Sequence, residues 1–223
     1  MFRFHPFSGR LLVVEACGSR LRAAVVKKRK RRVSIERVAA TEHEDPVLGL
    51  AALLGQLGSA APRKAILLTT EVMPAMVELP LDEDDEISDL EFEEMIRGEL
   101  EGQLLEVSPL EGGADDDESR WGWCESPQED RKRGLGKWAA CGMMREPRDR
   151  WVEIFATHHR QLVRIYPITG CAAAMLPDLM SAPNSVLVEF ARETMAVTRL
   201  LKGNADSLQL EVFSADGQVE ACN

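Results

Sequence analysis

Cys17, Cys141, His158 and His159 are the residues of this 223-residue sequence whose side chains suit nucleophilic or base chemistry near neutral pH, and many carboxylates accompany them. Nucleophilic catalysis needs a thiol or hydroxyl beside an activating base. A helical zinc site needs two histidines one turn apart with a glutamate beside the first. Neither a triad spacing nor a His-Glu-x-x-His element links these residues. His158-His159 falls near a predicted helix end just before Arg160, where a cationic or dipole-capping role suits them. Cys17, in a turn beside Gly18, reads as a small, partly buried thiol unless a helix N-terminus lowers its pKa. The five cysteines are widely scattered with no C-x-x-C pair, so buried free thiols are expected and no metal site is. Asp115-Asp116-Asp117-Glu118 lacks the glycine and ligand spacing of a calcium loop and reads as a solvated acidic loop. In Arg131-Lys132-Arg133-Gly134-Leu135-Gly136-Lys137 the glycines stand too close and Trp138 follows the lysine, so a Walker phosphate loop fails and a flexible hairpin loop remains.

The composition narrows the class. Apolar residues make up 45% of the chain, enough for a sizeable core in one or two domains. No apolar run is long enough to span a bilayer, and the first ten residues lack a signal peptide's apolar region, which places the expectation in the cytoplasm. Net charge is −10, which argues against general nucleic-acid binding, and aromatics at 5% supply few stacking platforms. The charge is unevenly spread. Met1 to Arg37 holds eleven Lys or Arg against Glu15 and Glu36, whereas Glu78 to Glu118 holds eighteen acids against Arg97.

These residues need elements to position them. Leu11 to Val14, Leu21 to Val26 and Val33 to Val38 read as three antiparallel strands, with Gly18-Ser19 in the first turn and the basic sextet Lys27 to Arg32 at the second. The sextet reads as a solvated hairpin tip; the other readings are a localisation signal or a patch for anionic lipid or nucleic acid. Pro46 starts a helix with Val47, Leu50, Ala51, Leu54 and Leu57 on one face, stopped by Gly58 and Pro62. Ala65 to Thr69 is a buried interior strand. Val72 to Leu79 is another strand, and Ser88 to Glu91 caps a helix whose apolar stripe is Phe92, Met95, Ile96, Leu100 and Leu104. Trp121 to Cys124 and Lys137 to Met144 form a hairpin. Pro147 begins a helix with Trp151, Val152, Phe155 and His159 on one face, Leu162 to Tyr166 is a strand, and Thr169 to Met180 is an Ala-rich helix. Three strands follow, Ser185 to Phe190, Met195 to Leu201 and Leu208 to Phe213, with Lys202-Gly203-Asn204 as a turn.

This order resembles the actin-like nucleotide-binding fold. The segment from Val13 to Ala23 looks like the first phosphate-loop hairpin of that fold. Trp138 to Cys141, through the Pro147 helix to Ile165-Tyr166-Pro167, looks like the middle of the PilM family, and Leu187 to Thr194 would be the second phosphate loop. That family comprises actin-like cytoplasmic proteins of type IV pilus assembly, with relatives in the cytoplasmic part of the type II secretion protein GspL. The resemblance implies an α/β fold: an actin-like, ribonuclease-H-like mixed sheet with flanking helices, an inserted small α+β subdomain and a truncated second domain. The expected division is 1–70 with 137–182, an insertion at 71–136, and the start of a second subdomain at 183–223.

In nucleotide-binding members each phosphate loop carries an Asp followed two residues later by Gly, so that backbone can approach phosphate. Here Glu15 and Glu189 replace the acids, and Cys17 and Ala191 replace the glycines. If ATP and magnesium were bound, Glu15, Gly18, Ser19, Glu189 and Thr194 would be the binding residues. The family's fold continues through a second domain, so the sequence reads either as a fragment of a longer protein or as a reduced member without the ATP site; with both glycines replaced, the expectation is a non-catalytic scaffold without cofactor, of a pilus-assembly or secretion machine. Its partner would be the short cytoplasmic peptide of a PilN-like inner-membrane protein, held around Glu71 to Leu104, with the membrane reached only through that partner and no nucleic acid bound. The alternatives are an ATP-binding assembly protein and a basic-patch binder of anionic lipid or nucleic acid.

Overall fold

A computed structural model describes residues 9–29, 32–80, 91, 94–100, 119–125, 135–170, 184–191, 194–201, 204–213 and 219–221. The chain divides into two compact units: one of 3–72 and 144–168, the other of 1–2, 73–143 and 169–223.

The unit of 3–72 and 144–168 is built on a five-stranded sheet. Strands β1 (Gly9–Cys17), β2 (Arg20–Arg29) and β3 (Arg32–Glu42) form an antiparallel meander. β4 (Lys64–Thr69) and β8 (Gln161–Pro167) then add in parallel, giving the order β3-β2-β1-β4-β8. Return strands that run parallel need crossovers, which helices α1 (Pro46–Leu57) and α3 (Arg145–Thr157) supply. This mixed order is that of the actin-like fold, and β4 is the interior strand that its continuous apolar run predicts. Leu12, Val14, Ala16, Leu21, Ala23 and Val25 share one buried face of β1 and β2, and Leu50, Leu53 and Leu57 of α1 are buried with them. A Cβ on Gly49 would come within 2.4 Å of Leu21 Cδ1, so the missing side chain is what lets α1 lie this close to β2.

Asp45 caps α1 by accepting from the Val47 N–H at 2.8 Å. The α1 stripe is turned from the expected one: Leu53 is buried and Ala51 exposed, because the helix seats on Gly49 and Leu50. α3 begins two residues before Pro147, which its first turn tolerates because the amides there have no intrahelical acceptor. Its buried residues are Trp151, Ile154 and Phe155, whereas Val152 is exposed and His159 lies past the helix end with φ +55°. His158 caps α3, and its Nε2 lies 3.1 Å from the Val47 carbonyl oxygen at the start of α1.

The second unit holds two smaller sheets. β5 (Met73–Pro80), β7 (Leu135–Met144) and β6 (Ser119–Glu125) are ordered β5-β7-β6. Residues 94–100 are helical (α2), and Ile96 and Leu100 are buried in one cluster with Val77, Leu79 and Ala140. β9 (Asn184–Ala191), β10 (Thr194–Leu201), β11 (Asn204–Phe213) and β12 (Val219–Ala221) form an antiparallel sheet in the order β12-β11-β10-β9. The three-residue β12 is an addition to the three strands expected here. Thr169 and Gly170, the expected start of the Ala-rich helix, form a bend instead, with Gly170 at φ +82°; the rest of that helix, most of the capping box at Ser88 and the acidic loop at Asp115 lie outside the described residues. Among the described residues no helix is long and apolar enough to cross a membrane, and no cluster of His, Cys, Asp and Glu could hold a metal ion. Cys17 and Cys141 are buried cysteines.

Candidate functional site

The two hairpins singled out in the sequence have the same register. The last pair before the β1–β2 turn is Cys17↔Arg20, and before the β9–β10 turn it is Ala191↔Thr194. Glu15 and Glu189 each stand two residues further back, opposite Arg22 and Ala196. The hairpins therefore correspond residue by residue, one in each unit, so Glu15, Gly18 and Ser19 share one turn while Glu189 and Thr194 share the other.

In the first hairpin Gly18 takes φ +57°, the left-handed geometry that its missing Cβ allows. The half-buried Glu15 carboxylate has the Arg22 guanidinium at 3.4 Å. Ser19 Oγ donates to Glu42 Oε1 at 3.5 Å, and the Ser19 carbonyl oxygen accepts from the His43 N–H at 2.7 Å. The turn hydroxyl is thus directed to a carboxylate, and two carboxylates stand beside the loop. Cys17 is buried where a phosphate loop has glycine.

The second hairpin is tied to the loop after β8. Glu189 Oε2 accepts from the Gly170 N–H at 2.9 Å. Gly170 has φ +82°, and a Cβ there would lie 2.6 Å from Pro74 Cγ and 2.9 Å from its Cβ. Thr169 and Thr194 are both buried, with their hydroxyl oxygens 3.5 Å apart. Sequence reasoning missed Thr169 and Gly170. The signal available was the Thr-Gly pair directly after an apolar strand, which marks a turn needing a left-handed residue.

The face that carries Glu189 continues along β9 and β10. Ser185 and Thr198 lie on the same face as Glu189, and among the described residues the buried oxygens of both hydroxyls lack a hydrogen-bond partner. A buried hydroxyl without a partner costs about 1–3 kcal/mol, and valine has the same shape without that cost. Thr198→Val is therefore expected to stabilise the protein by about 1 kcal/mol, raising Tm by about 2–4 °C in thermal unfolding. A lower Tm would mean the hydroxyl is satisfied.

The opposite faces of the two hairpins differ. Leu12, Val14 and Ala16 on β1 are buried, whereas their counterparts Val186, Val188 and Phe190 on β9 are exposed, Phe190 to 72%. β1 lies between β2 and β4, while among the described residues β9 is an end strand.

Glu71, expected at the edge of a partner groove, sits just after β4 in the first unit. Its carboxylate accepts from Arg150 Nη2 and from the indole Nε1–H of Trp151 on α3. From Met73 on, the expected groove segment belongs to the second unit, where among the described residues β5 is an end strand of its three-stranded sheet.

No protein-family model matches the sequence, and no curated protein does. Among solved structures, a chain of a PilM–PilN type IV pilus biogenesis complex superposes with a TM-score of 0.67 at 14% identity over 92% of this chain. This chain spans 62% of that one's length. A Bacteroides thetaiotaomicron protein described as having an actin-like ATPase fold and unknown function aligns at 10% identity over 94% of this chain and 72% of its own, with a TM-score of 0.45. The sheet order and the superposition on the pilus-complex chain together give this protein the actin-like fold of PilM-like proteins.

Proposed function

We propose that this protein is a non-catalytic cytoplasmic scaffold of a pilus-assembly or secretion machine, peripheral at the inner membrane, that binds the cytoplasmic tail of an inner-membrane protein. The observation that carries this reading is the likeness, over 92% of the chain, to a chain of a PilM–PilN complex. The position of β5 supports it: among the described residues it is an end strand, and an extended peptide can add to a sheet edge through backbone hydrogen bonds.

The turn chemistry supports the non-catalytic part. A phosphate needs open backbone N–H groups and positive potential. Here Cys17 carries a Cβ where glycine would allow approach, Ser19 is directed to Glu42, and Glu15 already has Arg22 beside it. The competing reading assigns magnesium and phosphate roles to Glu15, Ser19, Glu189 and Thr194, and thermal unfolding separates the two. Ligand at a hundred times its Kd stabilises by about 2.7 kcal/mol, a rise of several degrees. With millimolar Mg-ATP, Tm is expected to stay where it is, while the tail peptide of the inner-membrane partner is expected to bind saturably in calorimetry. A magnesium-dependent rise that Glu15→Ala with Glu189→Ala abolishes would replace the scaffold by a nucleotide-binding assembly protein.

A further inference from the structure

The two units carry opposite charge. The unit of 3–72 and 144–168 has 18 Lys or Arg against 9 Asp or Glu, net +9, and the other has 9 against 28, net −19. Much of the positive charge lies at one place, the β2–β3 hairpin, whose run from Lys27 to Arg32 is entirely basic. Glu36, displaced on the β3 bulge, offsets part of it, with Arg10 Nε at 2.7 Å and Lys27 Nζ at 3.1 Å. The hydrogen bond from Lys27 and the charges of Lys27 and Arg10 hold the Glu36 carboxyl below its ordinary pKa. Arg29 and Arg32, the last pair before the turn, are exposed.

Immediately behind these arginines the surface is apolar. Val33 is 62% exposed and Ile35 66%, opposite Lys28 and Val26 respectively and on the same face of the sheet. A solvated hairpin tip needs no β-branched side chains in water. Cations at a tip with exposed aliphatic side chains directly behind them match the profile of an anionic bilayer, where headgroup charge lies outside and hydrocarbon lies a few ångströms deeper. Nucleic acid offers phosphates but no apolar layer for Val33 and Ile35, and the segment has no aromatic ring on which a base could stack.

We propose that the β2–β3 hairpin docks directly on an anionic phospholipid surface, with Arg29 and Arg32 among the headgroups and Val33 and Ile35 entering the interfacial layer. Val38, on the same face and 72% exposed, is an internal control. It stands beyond the bulge, five residues or about 16 Å of strand from Val33, too far from the tip to enter with it. This contact is independent of the peptide-binding reading and adds a direct membrane attachment to one made through a partner.

The experiment is co-sedimentation of the full chain with vesicles of phosphatidylglycerol mixed into phosphatidylcholine, against phosphatidylcholine alone. Binding is expected only to the anionic vesicles and is expected to fall as salt is raised. Arg29→Glu with Arg32→Glu is expected to weaken it about 25-fold or more, each cation near such a surface contributing about fivefold. Val33→Ser with Ile35→Ser is expected to weaken it about tenfold, and Val38→Ser to leave it unchanged. All of these positions are exposed, and unchanged circular dichroism and Tm of the variants verify the fold. Absence of binding to anionic vesicles overturns the proposal, as does a Val38→Ser loss equal to that of the Val33 and Ile35 pair. Binding to duplex DNA that the arginine variants abolish, with no vesicle binding, overturns it in favour of nucleic acid.

Discussion

Gly170→Ala is expected to destabilise the second unit by about 3–4 kcal/mol, lowering its unfolding transition by about 10 °C. Two costs add. A left-handed residue with a Cβ costs about 1–2 kcal/mol, and Gly170 has φ +82°. The new methyl would also stand 2.6 and 2.9 Å from two atoms of the Pro74 ring, which cannot rotate away as a flexible side chain could. Any backbone shift that relieves this contact lengthens the bond from the Gly170 N–H to Glu189. A double-mutant cycle with Pro74→Ala separates the terms, because removing the ring is expected to recover the steric part and leave the backbone part. A Gly170→Ala protein as stable as the parent would mean that the loop after β8 holds Glu189 in some other way.

Glu71→Ala has the next largest expected effect, a loss of about 2–3 kcal/mol and a Tm lower by about 5–10 °C. Glu71 caps the end of β4 against α3 by taking hydrogen bonds from Arg150 and Trp151. The Arg150 side chain is half exposed, so its share is small. Trp151 is 4% exposed, and without Glu71 its indole N–H is left buried with no acceptor, which is the main cost. Glu71→Gln keeps an acceptor and is expected to lose about 1 kcal/mol. Equal Tm values for the two variants, measured by scanning calorimetry, would show that the indole bond contributes little.

The sequence patterns legible in advance were those set by local chemistry. The apolar runs of β1 and β2, the continuous run of β4, the proline start of α1 and the meander of β9 to β11 all appear where their residues put them. What escaped was set by distant partners. Which side of α1 is buried depends on Gly49 meeting Leu21 across 28 residues of sequence, and the inward side of α3 depends on its seat beside β8. The candidate loops were legible as turns with substituted residues, but the ties from Ser19 to Glu42, Gly170 to Glu189 and Trp151 to Glu71 join residues 19 to 80 positions apart. No periodicity encodes such pairs.

The bare flank of β9 has a consequence for how the molecule behaves in a crowd. Among the described residues β9 is an end strand with Val186, Val188 and Phe190 facing water, and such a strand is a template on which another extended chain can grow. No proline or lysine interrupts β9 to discourage it. The protection that remains is electrical, because the same unit carries a net charge of −19 and copies approaching edge to edge repel one another. Colloidal stability is thus tied to ionisation: salt that screens the acids, or a pH low enough to protonate them, removes the repulsion that keeps copies apart.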